Sequence, residues 1–196
     1  PLTALMGFVE TLRGAAKDDP VARDRFLAIM EREAGRMNRL VGDLLSLSRV
    51  EGEEAGRPTS EGDISAVLEG AKQTLQPWAE ARGVALIREG EEGVMRVKGD
   101  PDQLTQIFAN LIENAIKYGG SGGEVRINVA RIAHEPGLRG PPLRVEVSDR
   151  GEGIESIHLP RLTERFYRVD TPRSREQGGT GLGLAIVKHI VARHRG

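Results

Sequence analysis

One stretch, residues 102–118, constrains the fold more than any other part of the chain. Its apolar residues recur every three or four positions, which predicts an amphipathic helix with a wide buried face. These residues are Leu104, Ile107, Phe108, Leu111, Ala115 and Ile116. Asn110, Asn114 and Lys117 share another face of the same helix. Because polar groups on a mostly buried helix need partners, this stripe is either bonded to neighbouring loops or one wall of a binding site.

The composition excludes several classes of function. The 196 residues carry a net charge of −1, so nothing indicates an electrostatic nucleic-acid binder. The chain has no cysteine, which excludes a disulfide framework and a thiolate metal site. No apolar run of about 18 residues and no signal peptide is visible, so we expect no membrane contact from these residues. Because the chain begins with Pro1, we expect a fragment of a longer protein.

Two amphipathic helices are predicted at the start of the chain, over residues 1–16 and 21–50, with a break between them. The second helix carries a near-heptad apolar seam made of Phe26, Met30, Met37, Leu40, Leu44 and Leu47. The two helices predict an αα-hairpin. Because a hairpin cannot cover both apolar seams alone, we expect a homodimer in which two hairpins form a four-helix bundle. The alternative is a hairpin packed only on the domain that follows it.

A segment rich in glycine, proline and acidic residues, 51–63, separates the hairpin from the rest of the chain. We therefore place a partial helical hairpin at residues 1–55 and a second domain at residues 56–196. In the second domain the pattern predicts helices near residues 64–82, 102–118 and the C-terminus, and strands near 84–88, 94–98, 124–132 and 143–147. The fold class is α+β, with a mixed sheet covered by helices on one face.

Four glycines, Gly178, Gly179, Gly181 and Gly183, lead into the last predicted helix. A helix N-terminus offers unpaired N–H groups and a partial positive charge, and glycines let a phosphate approach the backbone closely. The pattern is not a Walker A loop, because no Gly-Lys-Ser/Thr follows, and it lacks the third glycine of a Rossmann fingerprint. Taken alone, it is either a phosphate site or an ordinary flexible connector.

Asp149 ends the last predicted strand, and the glycines that follow it open space beside its side chain. We expect a buried carboxylate here, which could accept a hydrogen bond from the exocyclic amine of adenine. A hydrogen bond to a charged group is worth about 1.5–3 kcal/mol, and guanine lacks the amine at that edge. The alternative is an aspartate that caps its own turn, as Asp-x-Gly sequences often do.

Together these stretches resemble the sensor histidine kinases of two-component systems. Residues 110–118 are similar to the N box of that family, 149–153 to the G1 box, 165–170 to the F box and 179–184 to the G2 box. Residues 1–12 resemble the segment that follows the phosphoacceptor histidine, especially in phosphate-regulon-type sensor kinases. The resemblance implies a histidine-kinase/Hsp90-like ATPase fold of the Bergerat type for the second domain.

The resemblance also implies a role for each matching residue. Asn114 would hold Mg²⁺ through its carbonyl oxygen with support from Asn110, since this ion prefers oxygen ligands and keeps several waters. Asn110, Lys117 and Arg168 would serve catalysis, with Arg168 neutralising charge near the γ-phosphate. The residues implied in nucleotide binding are Asn114, Lys117, Tyr118, Asp149, Gly151, Gly153, Arg168, Gly179, Thr180, Gly181, Leu182 and Gly183. Residues 168–178 would form a mobile lid over ATP.

The phosphoacceptor is the part of the family pattern that this chain lacks. The family carries it in a His-Glu-x-x-x-Pro sequence, so if Pro1 is that proline, the histidine precedes the chain. We interpret His134, His158, His189 and His194 as surface or loop residues. We therefore expect the fragment to bind ATP or ADP without autophosphorylating.

The resemblance favours phosphoryl transfer over ATP hydrolysis. Related ATPases carry a water-activating glutamate four residues before the metal-binding asparagine, where this chain has Asn110; Glu113 is interpreted as an i+4 partner of Lys117. The predicted function is that of a cytoplasmic, ATP-dependent protein-histidine kinase fragment from a membrane-anchored sensor. Its phosphate would pass to the receiver domain of a response regulator. The alternatives are an anti-sigma-type serine kinase and a non-catalytic, nucleotide-dependent interaction module.

Overall fold

The computed structural model describes residues 2–52, 56, 58–119, 123–134, 142–169 and 179–195. The chain begins with a helical hairpin, in which α1 (Leu2–Arg13) contacts α2 (Pro20–Gly52). Phe8 on α1 and Phe26 on α2 place their ring centroids 5.5 Å apart. The Asp19 carboxylate accepts hydrogen bonds from two backbone N–H groups in the first turn of α2, which caps this helix. The predicted αα-hairpin is therefore confirmed.

Part of the hairpin exposes apolar side chains to solvent in the single chain. These exposed residues are Leu2, Met6, Val9, Val21, Leu27, Val41, Leu44 and Leu45. Exposed apolar surface of this extent is typical of an interaction site. It is available for the second copy that the sequence predicts, and the dimer stays a prediction. No helix in the described part of the chain has the length and apolar character needed to cross a membrane.

The remaining elements form an α+β domain with two sheets. In chain order they are β1 (Glu61–Asp63), α3 (Ile64–Glu80), β2 (Ala85–Gly90), β3 (Arg96–Lys98), α4 (Pro101–Gly119), β4 (Glu124–Arg131), β5 (Leu143–Asp149) and α5 (Gly183–His194). Strand β4 lies between β2, to which it is parallel, and β5, to which it is antiparallel. The predicted mixed sheet is confirmed. Strand β1 was not predicted, because its sequence Glu-Gly-Asp has no alternation and its pairing depends on distant β3.

Strand β4 and helix α4 form the centre of the core. Val125, Ile127 and Val129 of β4 are at most 1 % exposed, so alternate residues turn one apolar face of the sheet toward the helices. Helix α4 packs on α3 and α5 as well as on the sheet. Because three neighbours cover it, its buried face is wider than predicted: Ile112, which the pattern did not single out, is 0 % exposed, and Leu111 is half-buried.

The end of α2 packs into the same core as the second domain. Leu47 and Val50 are 3 % and 2 % exposed, and α2 contacts α5. The Ser46 hydroxyl donates a hydrogen bond to the Gln106 side-chain oxygen of α4 at 2.8 Å. The hairpin thus contacts its downstream domain directly, an arrangement that the loose composition of the linker did not favour. The boundary between residues 55 and 56 stays a prediction.

His194 joins the last helix to the start of α4. Its Nδ1 donates to the Ile190 carbonyl at 2.8 Å, and its Nε2 accepts the backbone N–H of Asp100 at 3.1 Å. The Asp100 carboxylate accepts two backbone N–H groups in the first turn of α4. The interpretation of His194 as a surface or loop residue is therefore wrong, because it lies on α5, is half-buried and bonds the residue that caps α4.

Replacing His194 by alanine should destabilise the fold. The Asp100 N–H would lose its partner in a partly buried position, which costs about 1–3 kcal/mol in free energy of unfolding. Urea denaturation of His194→Ala measures this cost. The matched control is His134→Ala, at an exposed position after β4, where we expect a change within about 0.5 kcal/mol. Equal midpoints for the two variants would contradict the role assigned to His194.

Candidate functional site

The polar stripe of α4 faces a cavity of about 940 Å³. This volume lies in the range of small-molecule sites, about 300–1,000 Å³. The cavity collects most of the residues that the resemblance singled out: Asn110, Asn114, Lys117, Tyr118, Asp149, Gly151, Gly153, Arg168, Gly179, Thr180, Gly181 and Gly183. They come from α4, from the end of β5 and the turn after it, from the segment before residue 170 and from the turn that opens α5. The structure thus brings together residues that are far apart in the sequence.

The wall formed by α4 is polar and partly unsatisfied. The Asn110 Nδ2 atom is buried and has no hydrogen-bond partner in the described part of the chain. Gly183 lies close by, since a Cβ at that position would stand 3.2 Å from Asn110 Oδ1. A buried amide without a partner is costly, so this site is suited to a polar ligand.

Lys117 is held in place at the same wall. Its ammonium pairs with the Glu113 carboxylate, one helical turn earlier, and its side chain is 14 % exposed. The ammonium also lies 6.0 Å from the centroid of the Trp78 ring. The predicted i+4 partnership of Glu113 with Lys117 is confirmed. It leaves a cation on the cavity wall beside the two asparagines.

Asp149 lines the cavity but is exposed, so the expectation of a buried carboxylate is wrong. It is the last residue of β5 and lies against the end of α4 with its side chain exposed. Its Oδ1 accepts the Gly151 N–H at 2.8 Å, so it also caps its turn. Gly119, which the sequence reasoning missed, makes this position possible: a Cβ there would fall 2.2 Å from the Asp149 Cβ. The sequence feature that could have indicated this close contact is the glycine at the end of α4.

The turn before α5 packs tightly on the segment that carries Phe166. Gly181 has a φ of +74°, and a Cβ on it would stand 2.8 Å from the Phe166 carbonyl carbon. The Phe166 N–H donates to the Gly181 carbonyl at 2.9 Å, and Phe166 itself has a φ of +62°. A non-glycine residue at positive φ is strained and recurs at functional sites.

Leu182 is the one predicted site residue that the structure places elsewhere. It is 0 % exposed and packs in the hydrophobic core, not on the cavity wall. Its position in the glycine pattern is explained by packing, because α5 needs an apolar anchor where it begins. Residues 170–178 of the predicted lid lie outside the described part of the chain. Arg168, at the start of that segment, is half-buried and lines the cavity.

Helix α2 of the hairpin also contributes to the cavity, which the sequence reasoning did not predict. Arg39 and Asp43 are among its lining residues, and the Thr180 hydroxyl donates to the Asp43 carboxylate at 2.6 Å. Nearby, Glu51 of α2 pairs with Arg165 and lies 3.5 Å from His189 of α5. No local pattern in α2 signals these contacts, because they depend on how the hairpin packs on the second domain.

Comparison with known protein families gives two matches along the chain. Residues 1–53 match the family described as His Kinase A (phospho-acceptor) domain, and residues 99–196 match the family described as Histidine kinase-, DNA gyrase B-, and HSP90-like ATPase. The chain belongs to the sensor histidine kinases of two-component systems. The order of the two domains is the one that the sequence motifs predict, and the second match implies ATP binding.

The curated relatives of this histidine kinase chain agree. It is 39 % identical over 195 residues to the phosphate regulon sensor protein PhoR of Pseudomonas aeruginosa, covering all of this chain and 42 % of that protein. It is 37 % identical over 196 residues to the sensor-like histidine kinase SenX3 of Mycolicibacterium smegmatis, covering 49 % of that protein. The chain therefore spans less than half the length of these two relatives.

Solved structures show the same fold. The histidine kinase AdeS of Acinetobacter baumannii matches with a TM-score of 0.68 and 25 % identity, covering 98 % of this chain and 84 % of that one. The match includes the hairpin as well as the α/β domain, since it extends over nearly the whole kinase chain. The predicted fold class is confirmed.

The residues of this kinase cavity fit a nucleotide with a hard divalent cation. Carboxamide oxygens and water are suitable ligands for Mg²⁺, which seldom occupies a site made only of protein groups. The described residues contain no cluster of three or more histidine, aspartate or glutamate side chains that could hold a metal alone. A cation here would rely on Asn114, on water and on the phosphates of the nucleotide.

The contact between α2 and the glycine turn carries an electrostatic cost. Burial raises the pKa of the Asp43 carboxyl above its ordinary value of 3.8, the Thr180 hydrogen bond opposes this rise, and the neighbouring Glu113 adds to it. The charged form of Asp43 is therefore less favourable in the folded kinase than in the unfolded chain. The cost is absent below the unfolded pKa and appears as pH rises through the folded pKa.

Asp43→Asn should remove this cost while keeping an oxygen for Thr180 to bond. We expect the melting temperatures of the variant and the wild type to be similar near about pH 4. As the pH rises to about 7, the melting temperature of the variant should rise relative to that of the wild type. Thermal unfolding across this range measures the difference. The control is Asp24→Asn, an exposed carboxylate on the same helix, which should show no such trend. A difference for Asp43→Asn that stays constant with pH would contradict the account.

Proposed function

We propose that this chain contains the dimerisation hairpin and the catalytic ATP-binding domain of an ATP-dependent protein-histidine kinase. The observation that carries the proposal is the single cavity where the α4 stripe, Asp149, Arg168 and the Gly179–Gly183 turn face one another. These residues are far apart in the sequence, and each belongs to a different element of the fold. Their meeting in one cavity of nucleotide size favours a common ligand.

The nucleotide has one favoured orientation in this cavity. The adenine amine would donate to Asp149, whose position against the end of α4 depends on the missing side chains of Gly119 and Gly151. The phosphates would lie at the other end, near Lys117 and the N-terminus of α5, where N–H groups and a cation favour negative charge. Mg²⁺ held by Asn114, with Asn110 in support, would neutralise charge on the phosphates.

The side chains favour transfer of the phosphoryl group over hydrolysis. Phosphoryl transfer needs positioning and charge neutralisation, which Lys117 and Arg168 can supply. Asn110 cannot act as a general base toward water, because a carboxamide does not take up a proton near neutral pH. Glu113 is already engaged with Lys117. The expected acceptor is therefore a protein side chain.

The acceptor is proposed to be a histidine that precedes Pro1. None of the four histidines in this chain lies on the hairpin: His134 is exposed after β4, His158 bonds Tyr167, His189 lies near Glu51 and His194 bonds Asp100. The phosphate would then pass to an aspartate on a response regulator receiver domain. We further propose a homodimer through the exposed apolar surface of α1 and α2, acting in the cytoplasm.

The nucleotide site can be tested by calorimetry with ATP and Mg²⁺. Asn114→Ala should weaken binding at least about tenfold, because it removes the metal ligand, while Asn38→Ala, at an exposed position on α2, should not. Asp149→Asn keeps an acceptor for Gly151 but loses the charge, so ATP affinity should fall about 10- to 100-fold and the preference over GTP should disappear. Undiminished ATP binding in both site variants would overturn the assignment.

The acceptor class can be tested with a hairpin that carries the family His-Glu-x-x-x-Pro sequence. Mixed with this chain, ATP and Mg²⁺, it should gain phosphate that is labile in acid and stable in alkali, the behaviour of phosphohistidine. The same hairpin with His→Asn at the acceptor is the control. Acid-stable phosphoserine would favour the serine-kinase alternative, and nucleotide binding without transfer to either hairpin would favour a non-catalytic module.

A further inference from the structure

His158 makes a specific contact that the motif analysis did not use. Its Nδ1 lies 2.6 Å from the Tyr167 hydroxyl in a partly buried position, and the two rings are 6.2 Å apart between centroids. The bond joins residues nine positions apart, at the two ends of the segment that contains the 3₁₀ turn Leu159–Arg161. His158 lies in a turn, as expected of a surface or loop residue, but its side chain has a specific partner.

Tyr167 is held from a second direction as well. The Arg161 guanidinium lies 4.2 Å from the centroid of the Tyr167 ring, a cation–π distance. Arg161 is itself oriented by the Glu164 carboxylate, 3.2 Å from its Nη2. The hydroxyl and the face of the Tyr167 ring thus both have partners, which restricts the ring to one orientation.

The restrained tyrosine belongs to the cavity wall. Tyr167 and the next residue, Arg168, both line the cavity, whereas His158 is not among the lining residues. Immediately before them, the Phe166 N–H is bonded to Gly181 of the glycine turn. Anything that fixes Tyr167 therefore also restrains the backbone of Arg168, the next residue on the cavity wall.

We propose that His158 is a positioning residue: by bonding Tyr167 behind the cavity wall, it places Arg168 for the terminal phosphate of the nucleotide. This proposal rests on the proposed function, in which the phosphates lie near the Gly179–Gly183 turn. His158 does not touch the nucleotide and acts only through Tyr167. Loss of the His158 side chain should therefore lower the affinity for ATP more than the affinity for ADP, because only ATP has the phosphate that Arg168 would contact.

The test measures the affinities of the 196-residue chain for ATP and for ADP at fixed free Mg²⁺. His158→Leu keeps the volume and removes the hydrogen bond, and Tyr167→Phe removes only the hydroxyl. Each should weaken ATP binding about three- to tenfold and ADP binding less than twofold. The ratio of the ATP affinity to the ADP affinity should therefore fall. The double variant should match the single ones, since both remove the same bond. His158→Asn, whose amide can replace Nδ1, should restore the ratio, and His134→Ala should leave it unchanged.

The outcomes separate this inference from the function on which it rests. If the wild-type chain binds neither nucleotide, the proposed function fails. If the wild type binds both and the ATP-to-ADP ratio is unchanged in Tyr167→Phe and His158→Leu, only the role of His158 is overturned. Additive effects of the two substitutions would also overturn it. Melting temperatures report any purely structural effect, which would lower stability without changing the ratio.

Discussion

The packing of α4 is the constraint on which the rest of the structure depends. The helix is covered by the sheet, by α3 and by α5, and the face that carries Asn110, Asn114 and Lys117 lines the cavity. Burying polar groups without partners is costly, so this face requires a cavity with polar contents. The cavity therefore follows from the way the core is filled, and the elements around it supply its other walls.

Missing side chains shape that cavity as much as the ones present. Gly119 allows Asp149 to lie against the end of α4, and Gly183 allows the start of α5 to approach Asn110. Gly181 adopts a positive φ against Phe166, a conformation and a distance that no larger residue combines at low cost. These glycines position the site through steric contact, whereas the charged residues give it its chemistry.

The hairpin and the ATP-binding domain are joined at this site. Leu47 and Val50 anchor α2 in the common core, and Asp43 reaches the glycine turn through Thr180. Burial, with a smaller contribution from Glu113, makes the charged form of this carboxylate unfavourable and raises the pKa of Asp43. The Thr180 hydrogen bond therefore joins the two parts of the chain against this electrostatic cost.

The sequence by itself determined the elements whose signals are local. Periodicity predicted α4 and the alternation of β4, and glycine spacing predicted the turn that opens α5, because burial on one face repeats with the helix or strand period. The candidate site residues came from the motifs of the family that the sequence resembles; the structure places them around one cavity, except Leu182, which lies in the core. Only the tertiary structure decided that β1 pairs with β3, that Asp43 lines the cavity and that His158 holds Tyr167. The sequence around each of these residues does not indicate its partner, because the contacts arise when separate elements pack against each other.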